Sequence, residues 1–198
     1  MHFSPNLLLL AALFVPETLA QATYTRSSKR GLIFVPAAPF PADDKLWIQP
    51  SSDLTWYYNY MAAPSPQYVN VSSLEFIHMM WGAPANGSDY IFLNTVQGLI
   101  AHGTTVQHVF SFNKPNGPFS QGGSQIDASP AAAAWQKEIL PLQKLGIKVG
   151  APAVTQRGQP WLSQFFGNCT GCKPDFIPLH FYGDFAGFEA YVSGVITA

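Results

Sequence analysis

Short apolar runs of strand length recur along this chain with helical segments between them, and that alternation limits the fold more than any other feature. Strand and helix in succession specify βα units and a parallel sheet, whereas a sandwich would show strands separated only by turn signals. The pattern predicts strands at residues 31–36, 54–60, 74–81, 106–113, 147–151 and 176–182. Helices are expected over 90–102, 129–145, 161–166 and 185–196. Ser129 reads as an N-cap with Pro130 at the first helical position, and Gly146 reads as the stop of that Ala-rich helix. Strands of Val, Ile and Phe character without clean alternation imply burial on both faces. On periodicity alone, a (β/α)8 barrel and an open doubly wound sheet fit equally well. No internal repeat is visible.

The first 20 residues read as a secretory signal peptide. Residues 7–15 are an unbroken apolar run, followed by Pro16 and by small residues at Thr18, Ala20 and Ala22. That run is too short for a membrane span, which needs about 20 apolar residues. Three Asn-x-Ser/Thr acceptors, at Asn70, Asn86 and Asn168, agree with a secretory route and predict glycosylation there. The expected location is secreted, either extracellular or in a cell wall. Residues 21–30 read as a linker ending in the solvated pair Lys29-Arg30, and residues 31–198 as one domain. That domain is shorter than the roughly 200 to 250 residues of a complete (β/α)8 barrel.

Charged residues make up 11% of the chain and the formal net charge is -1, against about 25% charged in an average domain. No basic field exists to attract nucleic acid or an anionic membrane, so a neutral ligand is the more natural partner. Aromatics reach 14%. Trp47, Trp81, Tyr58 and Tyr182 fall in segments whose ends can face a cleft, where flat rings stack on sugar faces; ordinary core packing is the competing reading for most of them. Cys169 and Cys172 are the only cysteines, and in an oxidising compartment Cys-Thr-Gly-Cys closes a small disulfide loop most simply. Zinc would require two further ligands. His78, His108 and His180 lie on three strands without local ligand spacing, so neither metal nor another cofactor is expected.

Six segments follow one another in register: Lys29-Arg30-Gly31-Leu32, Trp56-Tyr57-Tyr58-Asn59-Tyr60, Glu75 to Gly82, Phe112-Asn113-Lys114-Pro115-Asn116, Ala151-Pro152-Ala153-Val154 and Asp175 to Gly183. Together they resemble the fungal alkali-sensitive-linkage glycosyl hydrolases, glycoside hydrolase family 128. The resemblance implies a (β/α)8 TIM-barrel type fold acting on β-1,3-glucan by a retaining mechanism with two glutamates. It also implies that about six βα units are present here, truncated after the sixth strand.

The family pattern on the fourth strand is Phe-Asn-Glu-Pro-Asp, with Glu as acid/base; the nucleophilic Glu ends the seventh strand. Here Asn113 and Pro115 match, Lys114 stands in place of the Glu, and Asn116 in place of the Asp. His78 and Phe181 depart from the family's Pro and Trp. Retaining hydrolysis requires two carboxyl groups about 5 to 5.5 Å apart, and a lysine can serve as neither. Glu75, Glu138 and Glu189 are expected on the wrong face or on outer helices. Among the aspartates only Asp184 closely follows a matched strand end. By the family match, sugar contact falls to Asn113, His180, Tyr182 and Trp81, and less directly to Asn59 and Tyr58. Each has a structural alternative: a buried barrel histidine for His180, a core filler for Trp81, a strand-end turn for Asn113. The resulting expectation is a hydrolase-like domain without its catalytic glutamates whose partner is β-1,3-glucan or another cell-wall polysaccharide. An incomplete product of an active glucanase and a structural protein self-associating through unpaired strand edges are the alternatives.

Overall fold

The computed structural model describes residues 29–36, 38–86 and 90–196. The leader over 1–20 and the linker up to residue 28 lie outside the described residues, as do Gly87 and Ser88 of the second glycosylation acceptor. Strands β1 (Gly31–Ile33), β2 (Trp56–Tyr58) and β3 (Glu75–Phe76) form one parallel sheet in the order β1-β2-β3. Strands β4 (His78–Met79), β5 (His108–Phe110) and β6 (Lys148–Val149) form a second parallel sheet in the order β4-β5-β6. Helices α1 (Ile91–Ala101), α2 (Ala128–Glu138), α3 (Leu140–Gln143), α4 (Gln159–Asn168) and α5 (Phe185–Ile196) complete a mixed α/β fold.

The expected strand at 74–81 is divided between the sheets at Ile77. The Ile77 N–H donates back to Tyr57 O (2.8 Å), while the Met80 N–H donates forward to Phe110 O (3.1 Å). The chain therefore hands its backbone from one neighbour to the other within four residues, and each sheet receives only half of the run. The expected strand at 176–182 reduces to a single parallel bridge between Phe176 and Gly150. Pro178 has no N–H to continue that ladder.

The expected helix over 129–145 is two helices. Pro141 can neither donate to Lys137 O nor avoid that carbonyl sterically, and the break falls at Ile139, leaving Pro141 in the first turn of α3. The N-cap of α2 is Asp127 in an extended conformation, two residues before Ser129, so Pro130 sits in the first helical turn, where a missing donor costs nothing. Gly146 does end the helical run. At φ +87° it donates to Gln143 O while Ile147 donates to Leu142 O, the paired bonds of a Schellman cap.

The main core lies between the second sheet and helices α1, α2 and α4. In α2, Ala128, Ala131, Ala132, Trp135 and Glu138 are buried at helical spacing, and Ala-rich composition adds propensity on the same segment. Trp135, Val109, Val149, Phe165 and Leu142 are all fully buried there; truncating Trp135 to alanine would cost ~3–5 kcal/mol. A smaller aromatic cluster serves the first sheet, with Phe34 and Tyr68 stacked at 4.0 Å and Tyr57 edge-on to Tyr68 at 5.2 Å. The disulfide Cys169–Cys172 closes the turn after α4, and both cysteines are buried against the main core. Helix α5 occupies its expected span, yet no residue in it is buried, and Phe185 and Ile196 are each 78% exposed.

Glu138 is the one fully buried acid of this core. Its Oε2 accepts the Leu93 N–H at 2.8 Å, so the last turn of α2 caps the first turn of α1 with a carboxylate at the positive end of the helix. Glu138→Ala is expected to leave the Leu93 N–H without its partner and to destabilise the fold by ~1–3 kcal/mol. A urea denaturation midpoint unchanged from the parent would refute this capping role.

Candidate functional site

Parallel sheets bind ligands beyond the carboxyl ends of their strands, and Asn113 stands at that end, just past β5. Its side chain is buried and all four of its bonds are made within the protein. The Asn113 N–H donates to Trp81 O (3.0 Å), its carbonyl accepts from the Ser124 N–H (2.9 Å), and its Nδ2 donates to Gly122 O (2.8 Å). The remaining atom, Oδ1, faces His180 Nε2 at 3.0 Å. Because Nδ2 is committed to a carbonyl, Oδ1 must accept, which assigns the His180 proton to Nε2 and leaves Nδ1 as an acceptor. Burial, and then the positive charge of Lys114, hold the His180 pKa below its ordinary value, so the ring is neutral.

Lys114 follows with φ +44°, a left-handed conformation uncommon for a side-chain-bearing residue. Its N–H donates to Ala153 O (2.8 Å), its carbonyl accepts from the Gly117 N–H (2.9 Å), and its Nζ donates to Gln121 O (2.6 Å). Residues 113–126 thus form a closed loop tied by backbone bonds at both ends. Asn116 braces that loop against the next one: its Nδ2 donates to Thr155 Oγ1 (2.7 Å) and its Oδ1 accepts the Thr155 N–H (3.0 Å). A cavity of about 180 Å³ opens between these loops, lined by Lys114, Gly117, Gln121, Thr155, Gln156, His180 and Tyr182.

The structure brings Asn113, Lys114, His180 and Tyr182 together at this end. Trp81, half-buried, is bonded through its carbonyl to Asn113 and stacks on Phe119 with ring centroids 6.1 Å apart. Tyr182 is 79% exposed beside the cavity. Asn59 is spent elsewhere: Nδ2 donates to Ala63 O and Ser65 Oγ, and Oδ1 accepts the Met61 N–H, which organises the turn after β2. Tyr58 packs among Tyr60 (5.1 Å) and Phe110 (5.2 Å), and burial pushes its phenol pKa up. Asn70, Asn86 and Asn168 all lie on the surface. Asp184, the acid nearest in sequence, accepts the Gly187 N–H (2.8 Å) at the start of α5 and does not line the cavity.

Phe119, Gln121, Thr155 and Gln156 were not visible as site residues in the sequence. The only signal was their position a few residues beyond a strand end. A larger cavity of about 650 Å³ lies at the opposite, N-terminal ends of the strands, floored by Trp56, Phe110 and Phe176. Its polar groups pair with one another, His108 Nδ1 with Glu75 Oε1 (2.8 Å) and Lys148 Nζ with Asp175 Oδ1 (2.8 Å). The three strand histidines occupy separate environments, with His78 buried against Ala62 O. Among the described residues no three His, Cys, Asp or Glu side chains are grouped to hold a metal ion.

A model of the glycosyl hydrolase catalytic core matches residues 31–198. The alkali-sensitive linkage protein 1 of Schizosaccharomyces pombe is 32% identical over 172 residues, covering 85% of this chain and 29% of its own. Among solved structures, a glycoside hydrolase family 128 oligosaccharide-binding protein from Trichoderma gamsii is 26% identical with TM-score 0.55, covering 71% of this chain and 54% of its own. A mutant endo-β-1,3-glucanase of the same family from Amycolatopsis mediterranei, solved with laminarihexaose, is 27% identical with TM-score 0.55, covering 73% of this chain and 58% of its own. The chain therefore spans less than a third of the curated relative and little more than half of these two solved chains.

Two measurements check this geometry. A Cβ on Gly123 would meet Gly117 O at 2.2 Å, so Gly123→Ala is expected to destabilise by ~1–3 kcal/mol through forced backbone movement; a parent-like melting temperature would refute the close approach. Both His78 and His180 have lowered pKa values, so below pH 6.5 the unfolded chain takes up protons first and stability falls with pH. The Asp175 carboxyl, held at about 2 by Lys148 and the Val149 N–H, adds a second loss as pH drops from its ordinary range through about 2. Denaturation midpoints flat between pH 7 and 5 would contradict the neutral, buried state of the two histidines.

Proposed function

The chain belongs to the glycosyl hydrolase catalytic core family, in its glycoside hydrolase family 128 branch, and we propose that it is a secreted member that binds β-1,3-glucan of the cell wall with its hydrolytic chemistry impaired. The observation that carries this reading is Lys114 where the family pattern places the acid/base glutamate, at the rim of a cavity that no carboxylate lines. An ammonium there opposes the oxocarbenium character that develops at the anomeric carbon, and it cannot act as a carboxylate nucleophile. The neighbouring groups suit binding. Tyr182 and the Trp81–Phe119 pair offer ring faces for pyranose stacking, and the neutral His180 Nδ1 and the Thr155 hydroxyl are hydrogen-bonding groups of the kind hydroxylated ligands use.

The rest of the reading extends the same argument. The parallel order β1-β2-β3 and β4-β5-β6, joined through Ile77 and followed by the bridges Asn113–Ala153 and Gly150–Phe176, supports a (β/α)8-type barrel of which about six βα units lie in this chain. A leader over 1–20, a linker over 21–30 and a domain over 31–198 fit that layout. Among the described residues no helix is long and apolar enough to cross a membrane. The exposed apolar side chains of α5 favour self-association in solution. The solved neighbours divide between β-1,3-glucanases and oligosaccharide-binding proteins, and the lysine favours the second group.

Incubation with laminarin is expected to release no reducing ends, while the protein is retarded in a laminarin-containing native gel. Tyr182→Ala, at a side chain largely in solvent, should weaken that retention about three- to tenfold through loss of one stacking ring. Laminarin hydrolysis by the purified chain would overturn the non-catalytic reading, and the absence of retention would overturn the glucan-binding one.

A further inference from the structure

The cavity beside Lys114 carries a positive charge that the protein does not balance. Among the described residues Lys114 makes no ion pair, and no Asp or Glu lines the cavity. An ammonium has three donors, and one of them reaches Gln121 O. Its field is felt across the cavity, since it is one of the two causes that hold His180 neutral. Asp184, two residues beyond the lining residue Tyr182, accepts the Gly187 N–H through Oδ1 and does not line the cavity. Arg157, exposed on the loop that carries Thr155 and Gln156, makes no ion pair among the described residues and adds to the same sign.

The hydrogen-bonding pattern points the same way. Thr155 Oγ1 already accepts from Asn116 Nδ2, so its own hydrogen is available to donate. The side chains of Gln121 and Gln156 are exposed on the rim, and Gln156 Nε2 makes a long contact to Tyr182 O (3.5 Å) that leaves its second N–H for a ligand. A cavity rich in donors, with a half-buried ammonium and no anion of its own, is costly to fill with a neutral group, which would take water from the ammonium without returning charge.

We infer that this cavity selects a saccharide bearing a carboxylate, a uronate or aldonate unit of a β-1,3-linked glucan, over the neutral sugar, with Lys114 as the carboxylate's partner. The inference rests on the glucan-binding reading of the same site and names the kind of glucan it takes. The oxyanion would sit between Lys114 Nζ and the Thr155 hydroxyl, with the adjoining sugar ring against Tyr182.

Isothermal titration of the purified chain with three probes tests it: neutral laminaripentaose, laminaripentaose oxidised at C6 to uronate units, and its reducing-end aldonic acid. One of the two anionic probes is expected to bind about tenfold more tightly than the neutral one, the ratio given by one charge-assisted hydrogen bond. That ratio should shrink as salt rises from 0.05 to 0.5 M on the order expected of a screened, part-exposed pair. Which anionic probe is preferred distinguishes a uronate from an aldonate source. Lys114→Met should bring the ratio to about one, and Lys114→Arg, which keeps the charge, should retain most of it; circular dichroism confirms that each variant is folded. Equal binding of all three probes, or a preference that survives in folded Lys114→Met, overturns the inference while leaving glucan binding standing. Binding of none of them overturns both readings, and binding of the anionic probes alone supports the inference against a neutral-glucan ligand.

Discussion

The candidate site depends on Asn113, a buried residue whose amide nitrogen and amide oxygen are each bonded within the protein's own frame. Its backbone joins the end of β5 to Trp81 and to the far end of the 113–126 loop, its amide nitrogen holds Gly122, and its amide oxygen fixes the tautomer of His180. Four segments distant in sequence are thereby set in one geometry by a single residue. These bonds make Asn113 a positioning residue at the strand end, and the one N–H and one lone pair that its amide retains are compatible with the sugar contact expected of it.

Much of the layout was legible because the responsible signals are local. Helix α5 occupies the span read from its pattern, and Gly146 closes the helical run after α3 with φ +87° because only a residue without a Cβ adopts that conformation at little cost. The errors share a cause in backbone donors. Pro141 divides one expected helix and Pro178 empties one expected strand, and both are visible in the sequence as residues without an N–H. The division at Ile77 was not legible, since which neighbour a strand residue bonds to is decided by the sheet and not by the residue.

Within the site, legibility followed the motif and stopped where the loops began. Asn113, Lys114, His180 and Tyr182 stood in recognisable segments and do converge. Asn59 stood in one too, yet its amide is consumed by the turn at Ala63 and Ser65. Asn116 looked like a lost acid and is a brace between two loops through Thr155. Pairwise bonds across 39 residues leave no trace in a one-dimensional pattern, and neither does the stacking of Trp81 on Phe119.

In the proposed reading, a lysine where the family pattern has a carboxyl group changes more than one side chain. A glutamate acid/base works by giving up a proton and becoming an anion as positive charge builds on the sugar. At that position stands Lys114, and burial first, then its positive charge, lowers the His180 pKa. The two groups then act in sequence: the lysine repels cationic character in any transition state, and the neutral imidazole keeps Nδ1 as an acceptor for a hydroxyl. A site arranged in this way would, in the proposed reading, stabilise ground-state contacts with a polar or anionic saccharide and oppose the cation through which the glycosidic bond would break. In that reading, loss of chemistry and retention of binding therefore share one electrostatic origin.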